Sequence, residues 1–304
     1  MFAKPRSLIP AGALGAMCGL LAGCGGTSST PAAPQAAQTV QASKAAQASQ
    51  PAGNAQGNGT FSQPLAVSNP MFPLAVGTQF SYQGKIVQDG ESKPHTVTFT
   101  VTDVSKVVDG VQTVVAWDRD FLEGKLQEQE LAFFAQDDQG NVWNFGEYPE
   151  EYENGKFTGA PSTWIRGVDG AYGGIHMLSQ PRPGMKYREG LVPAIEFDDV
   201  SVVARTGQQA CLAGTCYRQV LVVDETSPND PASGHQIKYY SPATGLIQVA
   251  ARGGDAQEFL TLTSVRHLGQ AEMATIRTEV MAMDQRAYKI KVYRTTGPAQ
   301  QRAG

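Results

Sequence analysis

The chain is short of positive charge. Its 24 Lys and Arg stand against 28 Asp and Glu over 304 residues, for a net charge of -4, and no run of basic residues occurs. Binding to phosphate backbones needs clustered Lys and Arg, so nucleic acid is excluded as a partner. Histidine is scarce as well: His95, His176, His235 and His267 are far apart, and none belongs to a paired-ligand spacing, so no metal site is expected. There is no G-x-S-x-G, no H-E-x-x-H and no phosphate-cradling glycine loop, and no cofactor is expected. The apolar stretch from Leu8 to Ala22 is broken by Pro10 and by glycines, too short and interrupted to cross a bilayer as a helix.

What is present begins at the N-terminus. Lys4 and Arg6 precede that apolar stretch, which closes with Leu21-Ala22-Gly23-Cys24. This resembles the lipobox of bacterial lipoproteins. The resemblance implies a signal peptide over residues 1–23, acylation of Cys24 and anchorage of the mature chain to a membrane. Gly25 follows the cysteine where Asp is absent, which fits the outer membrane of a diderm bacterium. Each buried methylene of an acyl chain contributes about 0.8 kcal/mol, so several chains on one cysteine hold stably. Residues 24–69 are mostly Ala, Gln, Ser, Thr, Pro, Gly and Asn, with Lys44 as the sole charge and Phe61 as the first aromatic. Such a composition cannot bury enough apolar surface to offset its ordering entropy, and a disordered tether is expected. As a flexible coil it spans about 35–40 Å.

Residues 70–268 read as antiparallel β. Thr96–Val104 alternates Val and Phe with Thr, the period of a half-buried strand. Gln79–Gln88, Val111–Trp117, Lys125–Gln136 and Asn141–Tyr148 follow the same logic, separated by Asp89-Gly90, Asp109-Gly110 and Glu123-Gly124, dipeptides suited to hairpins. Later strands are expected at Ile195–Arg205, Cys216–Asp224, Gln236–Ser241, Leu246–Arg252 and Glu258–His267. The fold class is therefore mainly β, a meander of about ten strands forming a curved open barrel or a sandwich. The Gly- and Pro-rich stretch 159–191 reads either as a functional loop or as an ordered plug at the mouth of a barrel. In residues 269–304, Met273, Ile276, Val280 and Met283 recur at helical spacing, predicting an amphipathic helix on the sheet. Tyr288–Tyr293 reads as a last strand, with a frayed tail behind it. Cys211 and Cys216, five apart between strand-like runs outside the cytoplasm, are expected to form a disulfide at a hairpin tip.

The densest chemistry lies in AQDDQGNVWNFGEYPEEYENGKF, residues 135–157, with six carboxylates and five aromatic rings. A calcium loop starting at Asp137 fits only loosely, because Gly140 stands fourth where the motif needs a sixth-position glycine. A glycosidase-like pair of acids is available in Glu147 with Glu150 or Glu151, and Asp169 lies farther on. The third reading is two hairpins: Phe133 and Phe134 on opposite faces, Trp143, Phe145 and Glu147 on one face of the next strand, and Val142, Asn144 and Tyr148 on the other. The run Ala135 to Asp138, Gly140 to Trp143 and Phe145-Gly146-Glu147 matters here together with Trp164, Gly167 to Ala171, Gly174-Ile175 and Met177. It is similar to a recurrent, uncharacterised domain of bacterial secreted proteins and lipoproteins, over about Phe72 to Val249. That resemblance implies a shared fold and no activity.

The expectation is thus a membrane-anchored envelope lipoprotein of non-catalytic binding or structural type. Its cleft would take an apolar, lipid-like or glycan ligand near Trp143, Glu147, Glu150, Glu151, Trp164, Asp169 and Tyr172. An envelope hydrolase with paired carboxylates and a calcium-dependent adhesion module are the alternatives.

Overall fold

The computed structural model describes residues 59–302. The signal segment, Cys24 and the tether as far as residue 58 lie outside the described residues. Five long strands open the domain: β1 (Thr78–Gln88), β2 (Glu91–Val108), β3 (Val111–Leu122), β4 (Lys125–Gln136) and β5 (Val142–Glu153). At Asp89-Gly90, Asp109-Gly110, Glu123-Gly124 and Asn154-Gly155 both turn residues have positive φ, near 50° and then 75–79°. That is the type I′ hairpin geometry, whose twist matches the strands it joins. Short strands follow, β6 (Lys156–Gly159), β7 (Trp164–Ile165), β8 (Tyr172–Gly173) and β9 (Ile175–Met177). The second meander is β10 (Lys186–Val192), β11 (Phe197–Leu212), β12 (Thr215–Thr226), β13 (His235–Ser241), β14 (Gly245–Arg252) and β15 (Ala256–His267). Helix α1 (Gln270–Ala287) and β16 (Gln300–Gln301), on the edge of β2, complete the chain.

All pairings are antiparallel in one sheet of order β6-β5-β4-β3-β2-β1-β15-β14-β13-β12-β11-β10-β8. The first meander meets the second where β1 pairs with β15. The long strands at the two ends, β5 and β10, do not pair with each other, so the sheet is not closed into a barrel. Instead the glycine-rich stretch lies between them. β8 pairs with β10 and β9 with β5, while Gly174 N–H donates to Glu189 O and Gly174 O accepts from Asn144 N–H. Residues 159–191 are ordered and carry β7, β8, β9 and most of β10, but they form a seam between β5 and β10 and not a plug at the mouth of a barrel.

Strand alternation gives the curved sheet two apolar faces. Val97, Phe99, Val101, Val114, Ala116, Phe134, Leu260 and Leu262 fill the inside with Phe72 and Tyr82. Val115, Trp117, Leu131, Phe133, Phe145 and Tyr148 form the outside, covered by Met273, Ile276, Val280 and Met283 of α1. Each large side chain so buried contributes about 1.5–3 kcal/mol. Phe133 and Phe134 fall on opposite faces, as their parity requires.

Three expectations are corrected. The folded region begins before residue 70: Phe61 lies edge-on to Trp143 and Phe145, and Val67 is buried. Tyr288–Tyr293 is not a strand. Backbone bonds from Lys289 to Arg286 O and from Ile290 to Ala287 O continue the helix as turns, and Tyr293 begins a 3-10 turn that buries its ring beside Lys106. Tyr148 shares the outer face with Trp143 and Phe145, whereas Glu147 turns inward, because the register of β4 and β5 slips between Ala132 and Phe134. That bulge includes Gly146, at φ 148°, where a Cβ would stand 2.6 Å from the Trp164 carbonyl oxygen. Gly146→Ala should therefore cost about 2 kcal/mol or more in chemical denaturation, combining strained backbone with a clash that only a shift of β7 relieves.

Candidate functional site

Of the residues singled out from the sequence, Glu147 and Trp164 meet, and the others are spread over both faces of the sheet. Trp143 is buried on the outer face and its Nε1–H donates to Asp137 Oδ2 at 2.8 Å. Asp137 also accepts from the backbone of Gln139 and Asn141 and from Asn141 Nδ2, while Asp138 accepts from Ser62 N–H and Oγ–H. The supposed calcium loop is a turn whose carboxylates are already occupied by protein donors. Glu150 lies on the outer face, gripped by Arg286 at 2.8 and 2.9 Å and bonded to Tyr148, Tyr152 and Gln129. Burial works against its charge, yet Arg286 and the hydroxyl donors outweigh it and hold the carboxyl below the usual range. Glu147 faces inward, where it accepts from Asn144 Nδ2 at 2.6 Å and Trp164 Nε1 at 2.9 Å. Trp164 is buried and stacked on Phe197. Glu151 is half-buried, opposite Glu128 in register. Asp169 is exposed in a left-handed turn, and Tyr172 lies half-buried in β8. Glu147 and Glu150, on opposite faces, do not form the acid pair envisaged. Cys211 and Cys216 are bonded at the β11–β12 tip.

The polar groups that do converge lie inside the sheet, and local motifs did not reveal them. At one end a small cavity is lined by Phe72, Leu74, Tyr82, Phe99, Tyr240 and Leu246 together with His176 and Lys238. It encloses about 30 Å³ of water-accessible space, room for about two waters. His176 Nδ1 donates to Glu189 Oε2 at 2.9 Å, and Ser201 Oγ–H donates to the other Glu189 oxygen. His176 is 1% exposed; its Nε2 has no hydrogen-bond partner among the described residues, and the Phe72 ring lies edge-on to the imidazole with centroids 4.3 Å apart. Burial and the nearby Lys238 ammonium keep the ring neutral, well below its usual range. Lys238 bonds Glu225 Oε2 at 2.7 Å; burial lowers its proton affinity, but Glu225 and Glu189 more than restore it and leave it raised.

At the other end the interior is acidic. Asp118, Asp120, Glu128, Glu130, Glu147 and Glu258 come from β3, β4, β5 and β15, with His95 of β2 among them. His95 Nε2 is 2.6 Å from Asp120 Oδ1 and its Nδ1 is 3.3 Å from Glu258 Oε1. Glu258 Oε2 accepts from Gln236 Nε2 at 2.9 Å. Burial and the Asp120 charge push Glu128 up to about 8; burial, only partly offset by His95, does the same to Glu258. Burial and Glu147 drive Glu130 well above the carboxylate range. Burial opposes the charge of His95, but the Asp120 bond and the surrounding acids raise it.

No family model and no curated protein matches this chain. Among solved structures, it is similar to a Bacteroides fragilis protein described as exported and as having a YmcC-like fold. The two are 12% identical, with 64% of this chain and 98% of that one covered at a TM-score of 0.37. A Parabacteroides distasonis protein described as a lipoprotein aligns at 13% identity over 69% of this chain and 100% of its own, with a TM-score of 0.29. At such scores neither likeness bears on what this chain does.

Proposed function

We propose that the protein is a non-catalytic cell-envelope lipoprotein of binding type. Acylated Cys24 holds it to a membrane, and its inner cavity receives a small apolar ligand bearing one hydrogen-bond donor. The Leu-Ala-Gly-Cys sequence and the tether, with Lys44 as its sole charge, support the anchorage. The observation that carries the binding role is the unpartnered His176 Nε2 in a cavity walled by Phe72, Phe99, Tyr240 and Leu246. With Nδ1–H committed to Glu189, Nε2 offers only a lone pair. A buried acceptor left unmade costs about 1–3 kcal/mol, which a ligand hydroxyl recovers. The space is small, so the ligand enters by displacing Phe72, which lies on the strandless segment ahead of β1.

Native mass spectrometry of the full-length chain extracted from membranes is expected to show a bound apolar alcohol. Leu246→Trp, which fills the cavity, should lose that species. Equal occupancy in both proteins, or no bound species in the wild type, rejects the binding role. Cys24→Ser should leave the membrane fraction and lose its acyl mass; an unacylated wild-type chain would refute the anchor.

A further inference from the structure

We propose that His95 and Glu258 form a binding site for a divalent transition-metal ion of the zinc class, with Asp120 orienting the imidazole. The site is separate from the cavity at His176 and does not depend on the function proposed for it.

The three side chains reach one place through topology rather than through a local motif. His95 on β2 and Glu258 on β15 flank β1, and the β1 residue opposite His95 is Gly84. A Cβ there would stand 1.7 Å from the Phe259 carbonyl oxygen, so only glycine lets the two strands bend together. The ligand atoms of His95, Asp120 and Glu258 all lie within 4.8 Å of one another. His95 is 1% exposed and Glu258 2%.

The His95 ring has two edges with different tasks. Nε2 lies 2.6 Å from Asp120 Oδ1, so its hydrogen belongs to that bond. Nδ1 is left for the other edge, and among the described residues it makes no hydrogen bond although Glu258 Oε1 is only 3.3 Å away. Among the described residues no protein hydrogen bond fills the gap between these two ligand atoms, and an ion entering it displaces the proton that buried Glu258 carries. Zinc takes nitrogen at about 2.0–2.1 Å and carboxylate oxygen at about 2.0–2.2 Å, and these lengths span a 3.3 Å separation with an angle of about 105° at the metal, close to tetrahedral. The outer contacts fit the same assignment. Asp120 on the far ring nitrogen completes a carboxylate–histidine–metal arrangement, and Gln236 Nε2–H holds the second oxygen of Glu258. Asp120, on the far edge of the ring, has a side chain 27% exposed, and water would complete the coordination of the ion. A nitrogen-plus-carboxylate set favours zinc-class ions over calcium or magnesium, which prefer oxygen alone.

Titration calorimetry of the full-length chain with zinc should show one ion per chain at micromolar affinity. Cobalt in its place should give the intense visible absorption of a four-coordinate site. Glu258→Gln and His95→Ala should abolish both signals, and Asp120→Asn should weaken binding about 10–100-fold. His235→Gln, altering a partly exposed histidine beside Asp224, should bind as the wild type does. The absence of zinc binding in the wild type overturns the proposal. So does loss of binding in His235→Gln with retention in Glu258→Gln, or calcium binding equal to zinc. Should His95→Ala fail to fold, the near-isosteric Glu258→Gln and the wild-type cobalt spectrum still decide.

Discussion

Lys106→Met is expected to lower the unfolding free energy by about 3–5 kcal/mol, among the largest effects of any single substitution in the domain. Lys106 is 2% exposed beneath α1. Its ammonium donates to Asp284 Oδ1 at 2.7 Å, Gly297 O at 2.7 Å and the Tyr288 hydroxyl at 3.1 Å, with the Tyr293 ring centroid 4.3 Å away. Removing the cation strands a carboxylate at the centre of the outer apolar face, where only the Tyr293 hydroxyl and the Ala299 amide remain to solvate it. A buried pair costs much to break and little to replace. Lys106→Met with Asp284→Leu should therefore recover most of the loss. Urea denaturation of the two variants beside the wild type checks this. A single-variant loss below about 1 kcal/mol would show that water reaches Asp284 under α1.

Stability should also fall as pH rises from 6.5 to about 9, by about 2–4 kcal/mol with chelator present. The sign follows from the interior acids. Glu128 and Glu258 hold their protons to about 8 in the folded chain, against about 4.5 unfolded, and Glu130 lies well above its usual range. The folded state therefore binds more protons, and stability is lost as pH climbs toward and through 8. His95, raised by Asp120 against the pull of burial, acts in the same direction, its contribution present below 6.5 and lost above its folded value. His176, lowered by burial, acts oppositely but only as pH falls below 6.5, and Glu150 loses its contribution lower still, in the acid range. Melting temperatures across this window provide the test. Glu258→Gln should flatten the slope, and an unchanged or rising profile in the wild type would contradict the burial of uncompensated acids.

Much of the architecture was legible because period and turn chemistry act locally. Lys125–Gln136 matches β4 residue for residue, and the two Asp-Gly turns and Glu123-Gly124 lie where β1, β2 and β3 end. The failures are equally physical. The bulge at Gly146 inverts parity within one strand, so Glu147 and Tyr148 exchanged faces. Tyr288–Tyr293 has the alternation of a strand but follows a helix whose turns continue, and the ring of Tyr293 is claimed by Lys106 and Asp284. The candidate sites were hidden for another reason. His95 shares the inward row with Val97 and Phe99, Lys238 with Tyr240, and Glu258 with Leu260 and Leu262. A polar residue on a core row was the available signal. Which of these rows meet depends on β1 lying between β2 and β15, a long-range pairing that no short window contains.

The seam at residues 172–177 is thin for a sheet of this size. Between β5 and β10 the sheet is stitched by pairs at Tyr172, Gly173, Ile175 and Met177 and by the two bonds of Gly174, whereas β2 and β3 share a ladder from His95 to Val108. A line sewn so thinly should exchange its backbone amide hydrogens sooner than the β2–β3 ladder does, with β1–β15 still joining the two meanders.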